Sequence, residues 1–417
     1  MTKINFKNKK TKTSLVFGLF FAAILVSSSS LGNVVAQTRS NAIPMFSVTE
    51  DEIPSDISQQ ASQMPQHSKD VIFLNIEKRV HGFSGAYIDE DGKLNIYTTD
   101  STIKSVDKST LADYVEPYHL EKGIIVKQGN HSWHKWMELG NIVTQLWDNK
   151  DLGITETGVD DKNQVYLIGF ESLDNSKISA VDKFLADHNM PSDMVKLVET
   201  GKIVLVRSGF TVDPITAGAE IGIPGAENQG TWGPEPVCTT GFIVKDSGGN
   251  YRGLTAGHCQ ASQNWDNGLQ QYKQPYGGRY IGNEIAGTMK TAHSDSLLFT
   301  TSETGGFGWI YRYGYSEVAI TGKAYTQFVG DTVCSSGTGS GTTRCGSLQA
   351  TGLTILGHSN TNQASFGVVG GDSGSPVWNP NGGITAYGTA FAGSSSGPTY
   401  YSSIGGIEAD QGVLQFK

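Results

Sequence analysis

Glycine divides this chain in two. Of its 52 glycines, 37 fall after residue 224 and 15 before it. Backbone without a Cβ reaches the positive-φ conformations of tight turns cheaply, so such enrichment marks a turn-rich β protein. There is no collagen period, and with 13 prolines the chain is not of the proline-rich low-complexity kind. Charge breaks at the same place: residues 37–224 carry 28 acids against 17 bases, and residues 225–417 carry 12 against 9. All four cysteines lie beyond the break, at Cys238, Cys259, Cys334 and Cys345. Two physically different folded halves are therefore expected, and 417 residues leave room for both. A net charge of −9 with 17% charged residues offers no basic face to nucleic acid, and 37% hydrophobic content argues against global disorder.

Ahead of both halves stands a basic leader. Lys3, Lys7, Lys9, Lys10 and Lys12 precede an apolar run from Leu15 to Val26, followed by Val34 and Ala36. This is the pattern of a secretory signal peptide spanning residues 1–36, cut after Ala36. The apolar run is shorter than the roughly 20 residues a membrane span needs. No later stretch could cross a bilayer, so the mature protein is expected to be soluble, exported and without a membrane partner. An even cysteine count in an exported chain favours disulfides. Three pairings are open. The local one, Cys238–Cys259 with Cys334–Cys345, closes two short loops worth about 2–3 kcal/mol each by loop entropy. A zinc site is disfavoured, because there is no C-x-x-C pair and only His258 adjoins a cysteine.

In the acidic half, Gly85 to Tyr97 alternates like two strand arms around an Asp91-Gly92 turn. Asp89 and Asp91 lack the spacing of a calcium loop and read as a solvated turn. Trp133, Trp136, Met137, Leu139, Ile142, Val143, Leu146 and Trp147 recur at helical spacing within His131–Asn149. His131 and His134 share that helix, but no third metal ligand accompanies them. Gln164–Phe170 predicts a strand, Ser176–His188 a helix and Lys202–Arg207 a second strand, which together make a small α/β module. Residues 213–236, with Pro214, Pro224, Pro234 and Pro236, predict a linker. Nothing in residues 37–216 forms a reacting constellation.

The chemistry lies in the glycine-rich half, in three segments. They are Leu254-Thr-Ala-Gly-His258-Cys259, Ala292-His-Ser-Asp295-Ser-Leu-Leu-Phe299 and Gly370-Gly371-Asp372-Ser373-Gly374-Ser375-Pro376. A serine hydroxyl becomes a nucleophile when an imidazole takes its proton, and a buried carboxylate can hold that imidazole in the right tautomer. Asp266 competes with Asp295 for the carboxylate role, but Asp295 leads into Leu297, Leu298 and Phe299, which could bury it. Glycines around Ser373 let backbone N–H groups of Gly371 and Ser373 turn toward the oxygen of a tetrahedral intermediate. The G-x-S-x-G pattern of α/β-hydrolases fails at its last position, Ser375.

Thr255-Ala-Gly-His-Cys259 and Gly371-Asp-Ser-Gly374 resemble the two signature motifs of chymotrypsin-like serine endopeptidases. Cys334-Ser-Ser-Gly and Arg344-Cys345-Gly346 are similar to the short-loop disulfide of the secreted bacterial branch of streptogrisins and α-lytic endopeptidase. The resemblance covers residues 223–417. It implies an all-β catalytic domain of two packed, six-stranded antiparallel barrels, preceded by an α+β pro-region over residues 37–222, with the boundary between 217 and 226. It further implies His258 as general base, Asp295 as its orienting partner, Ser373 as nucleophile, and Cys238–Cys259 bracing the histidine loop. No cofactor is implied. The partners would be protein or peptide substrates and the pro-region itself, acting as folding aid and inhibitor. Its tail, around Val206–Ala217, would lie extended in the cleft.

Three features depart from the branch. Ser335 stands where relatives carry a basic residue that pairs with the Asp beside the nucleophile, so Arg344 or a freed amino group would have to serve Asp372. Phe391 stands where relatives often have a serine that supports the catalytic carboxylate. No cysteines flank the pocket expected at Gly367, Phe391, Ala392 and Gly393. A non-catalytic binding protein on the same scaffold, or a secreted esterase, are the alternatives.

Overall fold

The computed structural model describes residues 53–201, 203, 220–222, 237–260, 271–273, 280–302, 304–312 and 317–417. The leader, the 213–219 and 223–236 stretches of the linker, the Val206–Ala217 tail and Asp266 lie outside these residues. Among the described residues, no helix is long and apolar enough to cross a membrane.

The acidic half builds its first core from alternation. Phe83–Ile88 and Leu94–Thr98 pair antiparallel, and Asp89 closes the turn between them by accepting the N–H groups of Asp91 at 3.1 Å and Lys93 at 2.9 Å. Ile124–Gln128 then joins in parallel to Leu94–Thr98. The aromatic spacing read from the sequence becomes the helix Trp133–Val143, continued as a 3-10 turn over Thr144–Asp148. It buries Trp133, Trp136, Leu139 and Val143 against Phe73 and Phe83. The His134 ring and backbone N–H both engage Glu77, at 2.7 and 2.9 Å.

The small α/β module forms, with its closing strand earlier in the chain than expected. Val165–Phe170 is a strand and Asn175–Asp187 a helix whose N-terminus is capped by Asp174, which accepts the N–H groups of Ser176 and Lys177. The strand that follows the helix and runs parallel to Val165–Phe170 is Val195–Glu199, upstream of the expected Lys202–Arg207. Val195–Glu199 follows directly on the Ser192–Met194 turn, so the crossover closes as soon as the chain leaves the helix. Of Lys202–Arg207, only Ile203 lies within the described residues.

In the glycine-rich half, one six-stranded antiparallel barrel is closed. Its order is Thr332–Gly337, Pro376–Asn379, Thr385–Gly393, Thr399–Ser403, His358–Ala364 and Thr342–Ile355, the last pairing back to the first. Val333, Leu348, Val377, Tyr387 and Tyr401 fill its interior. The preceding half is described as two sheets. Phe242–Lys245, Tyr251–Thr255 and Leu297–Thr300 form one; Val237–Thr239, Glu220–Gly222, Gln271–Lys273 and Tyr280–Asn283 form the other. A bridge between Glu284 and Phe299 joins them. The expected pair of six-stranded barrels is thus closed in one member only among the described residues. Both disulfides take the local pairing, Cys238–Cys259 and Cys334–Cys345.

The acidic half is not a separate body from the barrel. Ile154–Asp160 adds to the barrel strand Thr342–Ile355, with Thr157 opposite Thr354 and Glu156 opposite Ile355. Elsewhere along this contact, the Ile88 N–H donates to Val329 O at 2.6 Å and the His67 ring stacks on Tyr325 at 3.7 Å.

Candidate active site

His258 sits in the short turn Gly257–Cys259, where strand Tyr251–Thr255 ends, and its neighbour Cys259 is tied to Cys238. A Cβ at Gly257 would stand 2.7 Å from Asp295 Oδ1, so glycine is what lets the turn approach the carboxylate. The His258 N–H donates to Asp295 Oδ1 at 2.9 Å, and His258 Nδ1 bonds Asp295 Oδ2. A carboxylate only accepts, so the proton is on Nδ1 and Nε2 is the acceptor. That Nε2 lies 2.8 Å from Ser373 Oγ. The structure therefore brings His258, Asp295 and Ser373 into one hydrogen-bonded chain.

Asp295 is 2% exposed. Burial alone would push its carboxyl up, but the charge and hydrogen bond of the His258 ring, the charge of His358 and the His258 N–H hold it below the ordinary carboxylate range. It stays ionised, as an imidazolium partner must. With Phe391 in place of a serine, the hydroxyl that reaches Asp295 is that of Ser402, whose Oγ accepts the Asp295 backbone N–H at 2.9 Å. It is 107 residues away in the chain, and no local signal marks it.

Ser373 is held from both halves of the domain. Its carbonyl accepts the Thr239 N–H at 2.7 Å, and the Gly374 N–H donates to Ala390 O at 2.7 Å. Gly371 O accepts the hydroxyls of Thr239 at 2.6 Å and Thr338 at 3.2 Å. Gly371 adopts φ +97° and Gly374 φ +85°. At Gly374 a Cβ would stand 2.2 Å from Thr255 Oγ1 and 2.3 Å from Thr239 O, so the loop crosses the seam only as glycine.

Among the described residues, no cation hydrogen-bonds Asp372. Its two oxygens accept backbone N–H groups, from Ser340 at 2.8 Å and Val369 at 2.9 Å. Burial pushes its carboxyl up, against these bonds and the weaker pull of Arg344. The guanidinium of Arg344 donates instead to Gly367 O at 2.8 Å. Ser335, where relatives place a cation, bonds the hydroxyl of Ser375 at 2.9 Å.

The four residues expected at a pocket lie on one strand and a neighbouring loop. A Cβ at Gly367 would be 2.2 Å from Ser395 O, and one at Gly393 would be 2.5 Å from Pro398 O. Ala392 and Phe391 are fully buried. The Phe391 ring packs edge-on against His358 at 5.3 Å, and it is the Phe391 carbonyl that approaches Ser373 Oγ, at 3.5 Å. His258 also neighbours both sulfurs of Cys238 and Cys259, but these are bonded to each other and present no thiolate to a metal.

The sequence matches no family profile and no curated protein. Solved structures that align with it are bacterial serine proteases. A Nocardiopsis protease is 20% identical, with 49% of this chain and 98% of that chain covered and a TM-score of 0.38. Thermobifida fusca protease A is 22% identical, covering 48% and 97%, with a TM-score of 0.36. A glutamic acid-specific serine protease is 21% identical, covering 48% and 100%, with a TM-score of 0.39. Identity this low carries no chemistry, and the roles assigned below rest on this chain's own residues.

Proposed function

We propose that this chain is a secreted serine endopeptidase, made as a precursor and acting through an acyl-enzyme. The observation that carries the reading is the unbroken chain from buried Asp295 through His258 to Ser373 Oγ at the junction of two β halves. Ser373 Oγ attacks the substrate carbonyl as His258 Nε2 takes its proton. The oxyanion that develops faces the N–H groups of Gly371 and Ser373. His258 then returns the proton to the leaving amine, the amide bond breaks, and water repeats the sequence on the acyl-serine. The chemistry needs no cofactor. Two disulfides and a leader of basic then apolar residues support export. Residues 37–222 would be the pro-region, a reading supported by the strand it adds to the barrel.

Ser373→Ala tests the mechanism, because removing the nucleophile of such a triad typically costs on the order of 10⁶ in turnover. Labelling of Ser373 by an organofluorophosphonate, lost in Ser373→Ala, is the expected result. Unchanged peptide hydrolysis in that variant would overturn the reading, and cleavage of esters without amides would assign an esterase.

A further inference from the structure

The loop presenting Asp295 is held, residue by residue, by the last part of the chain. Beyond the Ser402 contact, the helix Ile404–Gln411 grips both flanks of the acid. Asp410 Oδ2 accepts three donors: the Ser294 N–H at 2.8 Å, the Ser294 hydroxyl at 2.7 Å and the His293 N–H at 3.1 Å. Gln411 Nε2 donates to Ser296 Oγ at 2.9 Å and to Thr288 O at 2.6 Å. The hydroxyls of Ser294 and Ser296 bond each other at 2.7 Å, closing the clamp beneath Asp295. The helix is also pressed onto the loop, since a Cβ at Gly406 would stand 2.5 Å from His293 O.

Asp410 lies in the last turn of its helix, where the macrodipole disfavours a negative charge by about 0.3–1 kcal/mol. A cation would suit that position better as part of the helix alone. What the carboxylate gains there is the loop, through charge-assisted bonds to backbone N–H groups, which are stronger than neutral ones.

We propose that Asp410, seconded by Gln411, is a positioning residue for Asp295: it sets the angle at which the carboxylate meets His258 Nδ1–H. The proposal rests on Asp295 being the acid of the triad. Displacing a catalytic group by about 1 Å costs on the order of a hundredfold, and Asp295 must satisfy the His258 ring and its backbone N–H together. With a tilted carboxylate, the imidazolium that forms as the ring takes the serine proton is less well stabilised.

The test uses the full-length chain carrying Asp410→Ala, Asp410→Asn or Gln411→Ala. We expect Asp410→Ala to lower kcat about tenfold to a hundredfold with KM unchanged. The acid limb of its rate profile should move to lower pH, and its downfield proton resonance from the His258–Asp295 bond should shift or broaden. Asp410→Asn, which keeps one acceptor oxygen, should recover part of each effect. A parent-like acid limb and downfield proton in Asp410→Ala, whatever its thermal stability, would overturn the proposal. Should Asp410→Ala fail to fold, Gln411→Ala carries the same readouts, and a parent-like result there would overturn it too. The proton resonance needs no turnover. A parent chain without Ser373-dependent hydrolysis would sink the protease reading while the resonance still judges the clamp.

Discussion

At the scale of single residues, the reacting geometry depends on atoms that are absent as much as on those present. Gly257 and Gly374 bring backbone to within reach of Asp295 and Thr239 because neither carries a Cβ. Asp295 shows what the close approach is for. Its carboxyl lies below the ordinary range because the attraction of the His258 ring, His358 and the His258 N–H outweighs burial. For an acid with a depressed folded value, the stabilisation is present above its unfolded value and is lost as pH falls through the folded one. Acid should therefore loosen the histidine loop and push hydrolysis down on the acid side. A rate that stays level from neutral pH down to the carboxylate range would contradict a histidine base. Asp295→Asn is the sharper probe. An amide N–H facing Nδ1 favours the wrong tautomer, and turnover should fall by about 10⁴ with the fold intact. Retained turnover in that variant, measured beside its unfolding midpoint, would remove Asp295 from the mechanism.

At the scale of elements, legibility followed how local each signal was. His258 and Ser373 stand inside short motifs whose neighbours, Cys259 and the glycines, carry their own mechanical reasons, so both could be read from a few residues. The hairpin Phe83–Thr98 announced itself by alternation around Asp91-Gly92. The helix Ile404–Gln411 did not, because Gly405 and Gly406 mask it. Those glycines answer to contacts made in space, with His67 O and His293 O, and not to helix propensity. Strand pairing between the halves was equally hidden, since nothing in Ile154–Asp160 names Thr342–Ile355 as its partner. That pairing buries Glu156, whose carboxylate accepts the Tyr400 hydroxyl at 3.0 Å, while Tyr400 in turn accepts from Gln363 at 3.2 Å. Burial pushes the Glu156 carboxyl up, against the Tyr400 bond. A carboxyl with a raised value in the paired state favours pairing below its free value and weakens it as pH rises through the interval above. The seam should thus loosen from acid toward neutral pH. In Ser373→Ala full-length chain, hydrogen exchange at the paired Thr157 and Ile355 segments, corrected for intrinsic rates, should rise over that interval. Glu156→Gln keeps an acceptor for Tyr400 and should flatten the rise; an unchanged rise would put the proton elsewhere on the seam.

At the scale of the whole molecule, the glycine-rich half is assembled from distant pieces. His258 and Ser373 are separated by 115 residues, and the loop of Asp295 is completed by Asp410, 116 residues beyond Ser294. Hairpins between consecutive strands form locally, but the barrel closure and the site itself wait on these distant contacts, and topologies of that kind fold slowly. An acidic half that folds first, as the proposed pro-region would, changes the order of events. Its core of Phe73, Phe83, Trp133 and Trp136 takes in Phe328 of the glycine-rich half, which stacks on Phe73, and it offers Ile154–Asp160 as an edge for Thr342–Ile355. Ile88 on Val329, His67 on Tyr325 and Lys69 on Thr351 O fasten further points of the barrel to it. We therefore expect residues 223–417, refolded alone, to stall in a compact state without turnover. Residues 37–222 supplied in trans should speed recovery by orders of magnitude and then inhibit the product until they are cut. The strand is the part that matters most, so replacing Thr157 by proline in the added segment, which removes a pairing N–H from the edge, should abolish the acceleration. Full activity from residues 223–417 alone, reached at the same rate and untouched by the added segment, would mean that the acidic half is a permanent domain with another purpose.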